Sequence, residues 1–266
     1  MSPKGNEGLD LDSRLKDAVR AYWAVLESQG ANQGAGSGQK DYGDRSKVTG
    51  GKQMDAFAEL LKDLLERCGI ERSDMYCGRS TSLPGFYRPT KDWDLVVVVK
   101  GTLLIALELK SLPTSFGNNS NNRVEEALGS AADLWKSYQK RTFGKSQRPW
   151  LGYLMLICDE KASSSPVAIP EKHFAIRKEF RDSSYGKPAS LGGKPVKASV
   201  SYIRRMELFC GKVKQEGLYD ASCFLVTDHA QGPSGFYREP AEDLAFREFV
   251  GAMMGKALGY MQAKNL

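Results

Sequence analysis

Apolar residues recur at helical spacing in the first part of the chain. Leu11, Leu15, Val19, Tyr22, Val25 and Leu26 share one face of a helix predicted over residues 11–28. Met54, Phe57, Leu60, Leu61, Leu64 and Leu65 do the same over 52–68, where Asp55 and Glu59, four apart, share a face. Between them, residues 29–51 are small and polar, rich in glycine and serine, with no period; a flexible loop is expected. The pattern then changes. Residues 94–99 form a continuous β-branched run, Lys100-Gly101 reads as a turn, and 102–110 reads as the return strand. Apolar character on both faces of these strands predicts a sheet covered on each side, hence an α/β fold: a central mixed sheet flanked by helices. Downstream, a polar loop over 112–122 precedes a helix over 123–138. A strand over 150–158, a helix over 201–214, a strand over 223–227 and a terminal helix over 240–261 follow. No linker breaks the order, so residues 1–266 read as one domain. The echo of Gly85-Phe86-Tyr87-Arg88-Pro89 in Gly235-Phe236-Tyr237-Arg238 is too short to be a structural repeat.

Three charges interrupt the apolar hairpin: Asp94, Glu108 and Lys110. Burying an isolated charge is costly, so their presence asks for a use. Strand alternation puts Glu108 and Lys110 on one face. A three-residue loop (Lys100, Gly101, Thr102) would set Asp94 directly across from Glu108, with Cβ atoms ~4.5–5.5 Å apart. Two carboxylates that close repel unless a cation lies between them, and a hard divalent ion such as Mg²⁺ suits oxygen ligands. The carbonyl of Leu109 could add a ligand. Asp55 or Glu59 could add a third acid, although solvation at the surface accounts for both. Lys110 could orient or help deprotonate an attacking water and offset negative charge. The plainer alternative is a salt bridge at a strand end. Asp92, two residues before Asp94 and ahead of the strand proper, is a weaker candidate acid.

Composition and charge narrow the partners. The chain is 41% hydrophobic and 26% charged, which fits a globular protein rather than a disordered one. Its net charge is +6, and residues 171–217 alone carry 11 Lys and Arg against 5 Asp and Glu. That stretch, with Lys172, Arg177, Lys178, Arg181, Lys187, Lys194, Lys197, Arg204 and Arg205, is the footprint of a phosphate-binding surface. Metal plus lysine beside such a surface suits phosphodiester hydrolysis. Asn118, Asn119, Asn121, Asn122 and Arg123 directly follow the charged strand. They could read bases in double-stranded DNA, or simply supply turn and cap chemistry. The five cysteines lack any C-x-x-C spacing, so free thiols rather than a zinc site are expected. Two histidines are too few for His-rich metal centres. The polar N-terminus and the lack of an ~18-residue apolar run predict a cytoplasmic protein with no membrane segment. Leu191-Gly192-Gly193-Lys194-Pro195 lacks the leading glycine and following Ser/Thr of a phosphate-binding loop.

Asp94 with Glu108-x-Lys110 resembles the signature of the PD-(D/E)XK nucleases. The longer stretches Gly85-Phe86-Tyr87-Arg88-Pro89-Thr90-Lys91-Asp92-Trp93-Asp94, Glu108-Leu109-Lys110-Ser111 and Ser115-Phe116-Gly117-Asn118-Asn119, together with Gly50 to Phe57 upstream, resemble the XhoI-type restriction endonucleases. Trp93 stands where the short signature has proline, as in the XhoI-like pattern. The resemblance implies a restriction-endonuclease-like core and a Mg²⁺-dependent type II restriction endonuclease. It implies a homodimer cutting a six-base palindrome, CTCGAG or a relative, within a restriction-modification system. Asp94 and Glu108 map to the metal-binding acids and Lys110 to the catalytic lysine. The rival readings are a nuclease of the same fold in repair or structure-specific cleavage, and a DNA-binding protein that does not cleave.

Overall fold

The computed structural model describes residues 10–34, 52–169, 173–174, 176–181, 190–191, 194–195 and 199–264. Its centre is a five-stranded mixed sheet in the order β1 (Met75–Cys77), β4 (Leu95–Val99), β5 (Thr102–Leu112), β6 (Trp150–Asp159), β11 (Ala221–Asp228). The β1–β4 and β4–β5 pairs are antiparallel; β5–β6 and β6–β11 are parallel. Parallel neighbours need crossovers. α3 (Phe116–Gln139) connects β5 to β6, and α5 (Tyr202–Gln215) lies between β6 and β11 in sequence. Both pack on one face, while α1 (Leu11–Gly34), α2 (Asp55–Arg67) and α6 (Phe246–Ala263) group on the other. This double cover is why β6 is buried along nearly its whole length and why one apolar cluster joins all the layers.

Smaller elements complete the fold. β2 (Ser82–Pro84) and β3 (Thr90–Asp92) make a hairpin that leads into β4. β7 (Val167–Ala168) pairs with β10 (Ser199–Val200), β8 (Ser190–Leu191) pairs with β9 (Lys194–Pro195), and α4 (Lys161–Ser164) is a single turn. All five cysteines are free. Among the described residues, no helix is long and apolar enough to cross a membrane.

The structure departs from the pattern-based expectations in four places. α1 runs on to Gly34 instead of stopping at 28. Adding residues to an established helix is cheap, and Ala31 and Gln33 are good helix formers, so the lack of apolar period did not end it. The rest of the expected loop, residues 35–51, lies outside the described residues. α3 begins at Phe116, not 123, so the asparagines are helical rather than looped. α6 begins at Phe246, whose N–H donates to Glu239 Oε1 at 2.6 Å, after a 3-10 turn at Glu242–Leu244. The β4–β5 turn is a two-residue one. Lys100 (φ 47°) and Gly101 (φ 73°) both have positive φ, the geometry that suits a tight hairpin between twisted strands. The register then shifts: Val98 pairs with Leu103 but Val97 with Ile105, leaving Leu104 as a bulge. That extra residue restores the alignment a three-residue loop would have given.

Candidate active site

The site lies where β4 begins and β5 nears its end. Below the bulge Leu95 pairs with Leu107, so one further step sets Asp94 opposite Glu108. Asp94 itself sits just before β4, and its N–H donates to the Leu107 carbonyl at 3.0 Å. Its Oδ2 accepts from the Leu109 N–H at 2.7 Å and from Lys110 Nζ at 3.2 Å. Lys110 also meets Glu108 Oε1 at 2.6 Å. The three residues predicted to carry chemistry are therefore in direct contact, bridged by one ammonium. Because an extended residue directs its N–H and C=O to the same edge, the Leu109 carbonyl faces the Asp94 side rather than β6.

Glu108 is only 2% exposed, yet its carboxylate is charged. Burial pushes its pKa up, but Lys110 and Lys91 outweigh that and hold it below the ordinary value. Asp94 goes the other way: burial raises it, and Lys110 offsets this only in part. Burial would lower Lys110, but Glu108 and Asp94 prevail and raise it. A lysine held up in this way is an ammonium at neutral pH. In that form it is suited to orienting a water and offsetting charge.

Pattern reading quoted Lys91 without assigning it a role. Its ammonium lies 2.9 Å from Glu108 Oε2 and 3.2 Å from Oε1, and only the latter contact has hydrogen-bond geometry. Glu108 Oε2 is thus buried without a hydrogen bond. A buried carboxylate oxygen in that condition, beside a second carboxylate, fits a hard cation. β3 is three residues long, too short for alternation to reveal an inward lysine. The candidate third acids do not join the pair. Glu59 is engaged at the surface by Lys62 (2.7 Å) and Arg72 (2.9 Å). Asp55 opens α2, exposed, and no group of three acidic, His or Cys side chains gathers among the described residues.

This geometry coincides with a family match. The family model described as Restriction endonuclease XhoI matches residues 33–239. The chain belongs to the XhoI restriction endonuclease family. Three curated relatives agree. The type II restriction enzyme BstVI of Geobacillus stearothermophilus is 43% identical over 81% of this chain and 91% of its own. AbrI of Azospirillum brasilense is 40% identical over 65% and 78%, and XhoI of Xanthomonas vasicola 39% over 66% and 65%. No solved structure matches. As a member of the XhoI family the protein is a type II restriction enzyme, a site-specific deoxyribonuclease with the α/β core of that class.

The structure of this XhoI-family chain also places the residues expected to contact DNA. Asn118, Asn121 and Asn122 are exposed on the first turns of α3, with Asn119 and Arg123 half-buried. They do not cap the helix. Ser115 is the cap residue, in a left-handed conformation (φ 56°), and its carbonyl takes the Asn118 and Asn119 N–H groups. Arg123 pairs with Glu126 at 2.6 Å. The start of α5 meets this turn: Tyr202 stacks on Phe116 at 6.1 Å, and both line a cleft of about 360 Å³ with Ser115, Gly117, Asn118, Glu160 and Ala162. Arg205 lies over the Tyr202 ring at 5.2 Å, while Arg204 is paired with Glu207. Part of the basic segment is therefore brought beside the asparagines that follow β5. Arg177 and Lys178 are exposed; Arg181 ends the 3-10 turn Lys178–Arg181 and Lys194 opens β9. Lys172, Lys187 and Lys197 lie outside the described residues.

Proposed function

We propose that the protein cleaves both strands of a six-base palindrome, CTCGAG or a relative, as a Mg²⁺-dependent homodimer, and that one domain carries catalysis and recognition. The observation that carries the catalytic assignment is the Asp94–Lys110–Glu108 contact at the mouth of an otherwise apolar hairpin. Asp94, Glu108 Oε2 and the Leu109 carbonyl are the groups that would hold the ion. Once bound, it would supply a water of lowered pKa and charge stabilisation at the phosphate. Lys110, fixed between the carboxylates, offsets the charge that builds on the phosphate oxygens and orients the attacking water. Charge stabilisation of this preorganised kind is worth most where water is excluded, as it is around Glu108. Exposed asparagines at the start of α3 are suited to bidentate bonds with adenine, and Arg123 and Arg205 to guanine or phosphate. The named relatives support the choice of target: one of them is XhoI itself.

The test is digestion of a sequenced plasmid in Mg²⁺ with mapping of the ends. Ends at CTCGAG or at a one-position variant of it are expected. Cuts scattered without a common sequence would overturn the reading.

A further inference from the structure

We infer that Lys91 is a positioning residue of the site, whose ammonium contends with the metal for Glu108 Oε2 and must leave that oxygen when the ion binds. The inference rests on the assignment of Asp94 and Glu108 as metal ligands and goes beyond it, because it names what the ion must displace.

Three observations carry it. First, Lys91 Nζ lies 2.9 Å from Glu108 Oε2, an oxygen that accepts no hydrogen bond, on a side chain only 2% exposed. Second, Lys91 is itself largely covered, 13% exposed, and is held from behind: its ammonium donates to the Asp92 carbonyl at 2.8 Å and sits 4.9 Å from the centre of the Trp93 ring. These contacts hold the ammonium against Glu108, so its release when an ion binds would uncover it. Third, the charges close. Asp94 and Glu108 are balanced by Lys91 and Lys110. A divalent ion added to that set would leave two surplus positive charges around a carboxylate only 2% exposed, a costly arrangement. Withdrawal of Lys91 and arrival of a DNA phosphate each remove one. Metal binding and DNA binding are then mutually reinforcing, as linkage requires.

Lys110 does not play this part. It bridges Asp94 and Glu108 Oε1, whereas Lys91 reaches Oε2 at 2.9 Å as well as Oε1 at 3.2 Å. Lys110 can keep its contacts while an ion sits on Oε2.

The test is a calorimetric titration of EDTA-stripped protein with Mn²⁺ in the absence of DNA, on wild type, Lys91→Met, Lys91→Arg and Asp94→Asn. Competition for one oxygen is a coupling of ordinary size, so Lys91→Met should bind Mn²⁺ about tenfold more tightly. Lys91→Arg should stay near wild type because it keeps the charge. Equal or weaker Mn²⁺ binding by folded Lys91→Met overturns the inference. A second measurement uses the unaltered protein and so does not depend on how the variant folds. Brief acetylation with limiting acetic anhydride, read by mass spectrometry, should mark Lys91 several-fold more when saturating Mn²⁺ is present. Lys16, its side chain exposed on α1 and paired with Asp12, serves as the unchanged reference. Labelling of Lys91 that stays flat rejects the displacement. The Asp94→Asn arm separates the two levels. If it binds Mn²⁺ as wild type does, the metal assignment fails; if its binding is lost while Lys91→Met matches wild type, only the role of Lys91 fails.

Discussion

Asp133 on α3 holds Arg88, at the tip of the β2–β3 hairpin, in an ion pair of 2.9 Å. The same carboxylate, 4% exposed, accepts the N–H groups of Phe86 and Tyr87, each at 2.7 Å. A side chain at Gly85 would meet Asp133 Oδ2 at 2.5 Å, so glycine is required for the carboxylate to come this close. The hairpin so fixed is the one that delivers Lys91 and Asp94. Asp133→Ala leaves two backbone donors and a guanidinium without their acceptor, which should cost about 2 kcal/mol in urea unfolding. Burial raises the Asp133 pKa, but the bonds from Tyr87, Arg88 and Phe86 prevail and hold it below the ordinary value. A depressed folded pKa means stability that is full above the unfolded value, near ~3.9, and lost as pH falls through the folded one. Wild type should therefore lose more stability than Asp133→Asn on acidification from about pH 5 to pH 2. Parallel losses in the two proteins would reject this account.

Asp94→Asn and Glu108→Gln should each lower cleavage by at least ~10²-fold, the scale of removing a key electrostatic group. Far-UV circular dichroism and the melting curve should show a folded protein in both cases. Near wild-type cutting by either variant removes it from the catalytic set.

Cleavage should require a divalent ion and stop in excess EDTA. Ca²⁺ satisfies oxygen ligands but prefers a larger, looser shell, so it should support specific DNA binding in a gel-shift assay without cutting. Full activity in EDTA is the result this expectation forbids.

Lys110 is raised in pKa by Glu108 and Asp94 against the pull of burial, so on the proposed reading it should act as a fixed positive charge. Lys110→Arg keeps that charge and should retain measurable single-turnover cleavage, whereas Lys110→Met should lose at least ~10²-fold. If the arginine and methionine variants are equally dead, geometry or proton transfer, not charge, sets the role of this residue.

A homodimer on a palindrome supplies two Asp94–Glu108–Lys110 sites related by a two-fold axis, one for each strand. Sedimentation with a duplex oligonucleotide in Ca²⁺ should give two protein chains per duplex. Affinity should fall steeply with salt, with a slope of roughly -0.9 per phosphate neutralised. One chain per duplex that still breaks both strands together would refute the dimer.

Much of the candidate site was legible because charge inside an apolar run is conspicuous. Asp94, Glu108 and Lys110 stood out against valines and leucines, and strand alternation gave their shared face. What failed to show did so for physical reasons. Ser120, Ser130 and Ser137 are buried on α3, so small polar residues filled the apolar face and hid the first turns of that helix. Lys91 lies on a strand too short to have a period. Asp133 is a buried acid on a helix whose partners, two backbone N–H groups and Arg88, lie some 45 residues earlier in the chain. Nothing local marks a contact of that range. The two-residue turn and the bulge are also invisible to pattern, since their effects on register cancel.

That cancellation has a consequence for how the hairpin can vary. With a two-residue turn and an unbroken ladder, Asp94 would face Leu107, and Glu108 would fall out of step with it. Leu104 corrects the count by one. The parity of the hairpin is thus decided at its blind end, about 15 Å from the carboxylates at ~3.3 Å per residue. A turn lengthened to take in Thr102 and the loss of the bulge shift the register by one residue in opposite directions. Either alone moves the two acids out of phase, and both together leave them facing. Loop length at Lys100-Gly101, in a stretch remote from the chemistry, is therefore constrained as tightly as the acids themselves.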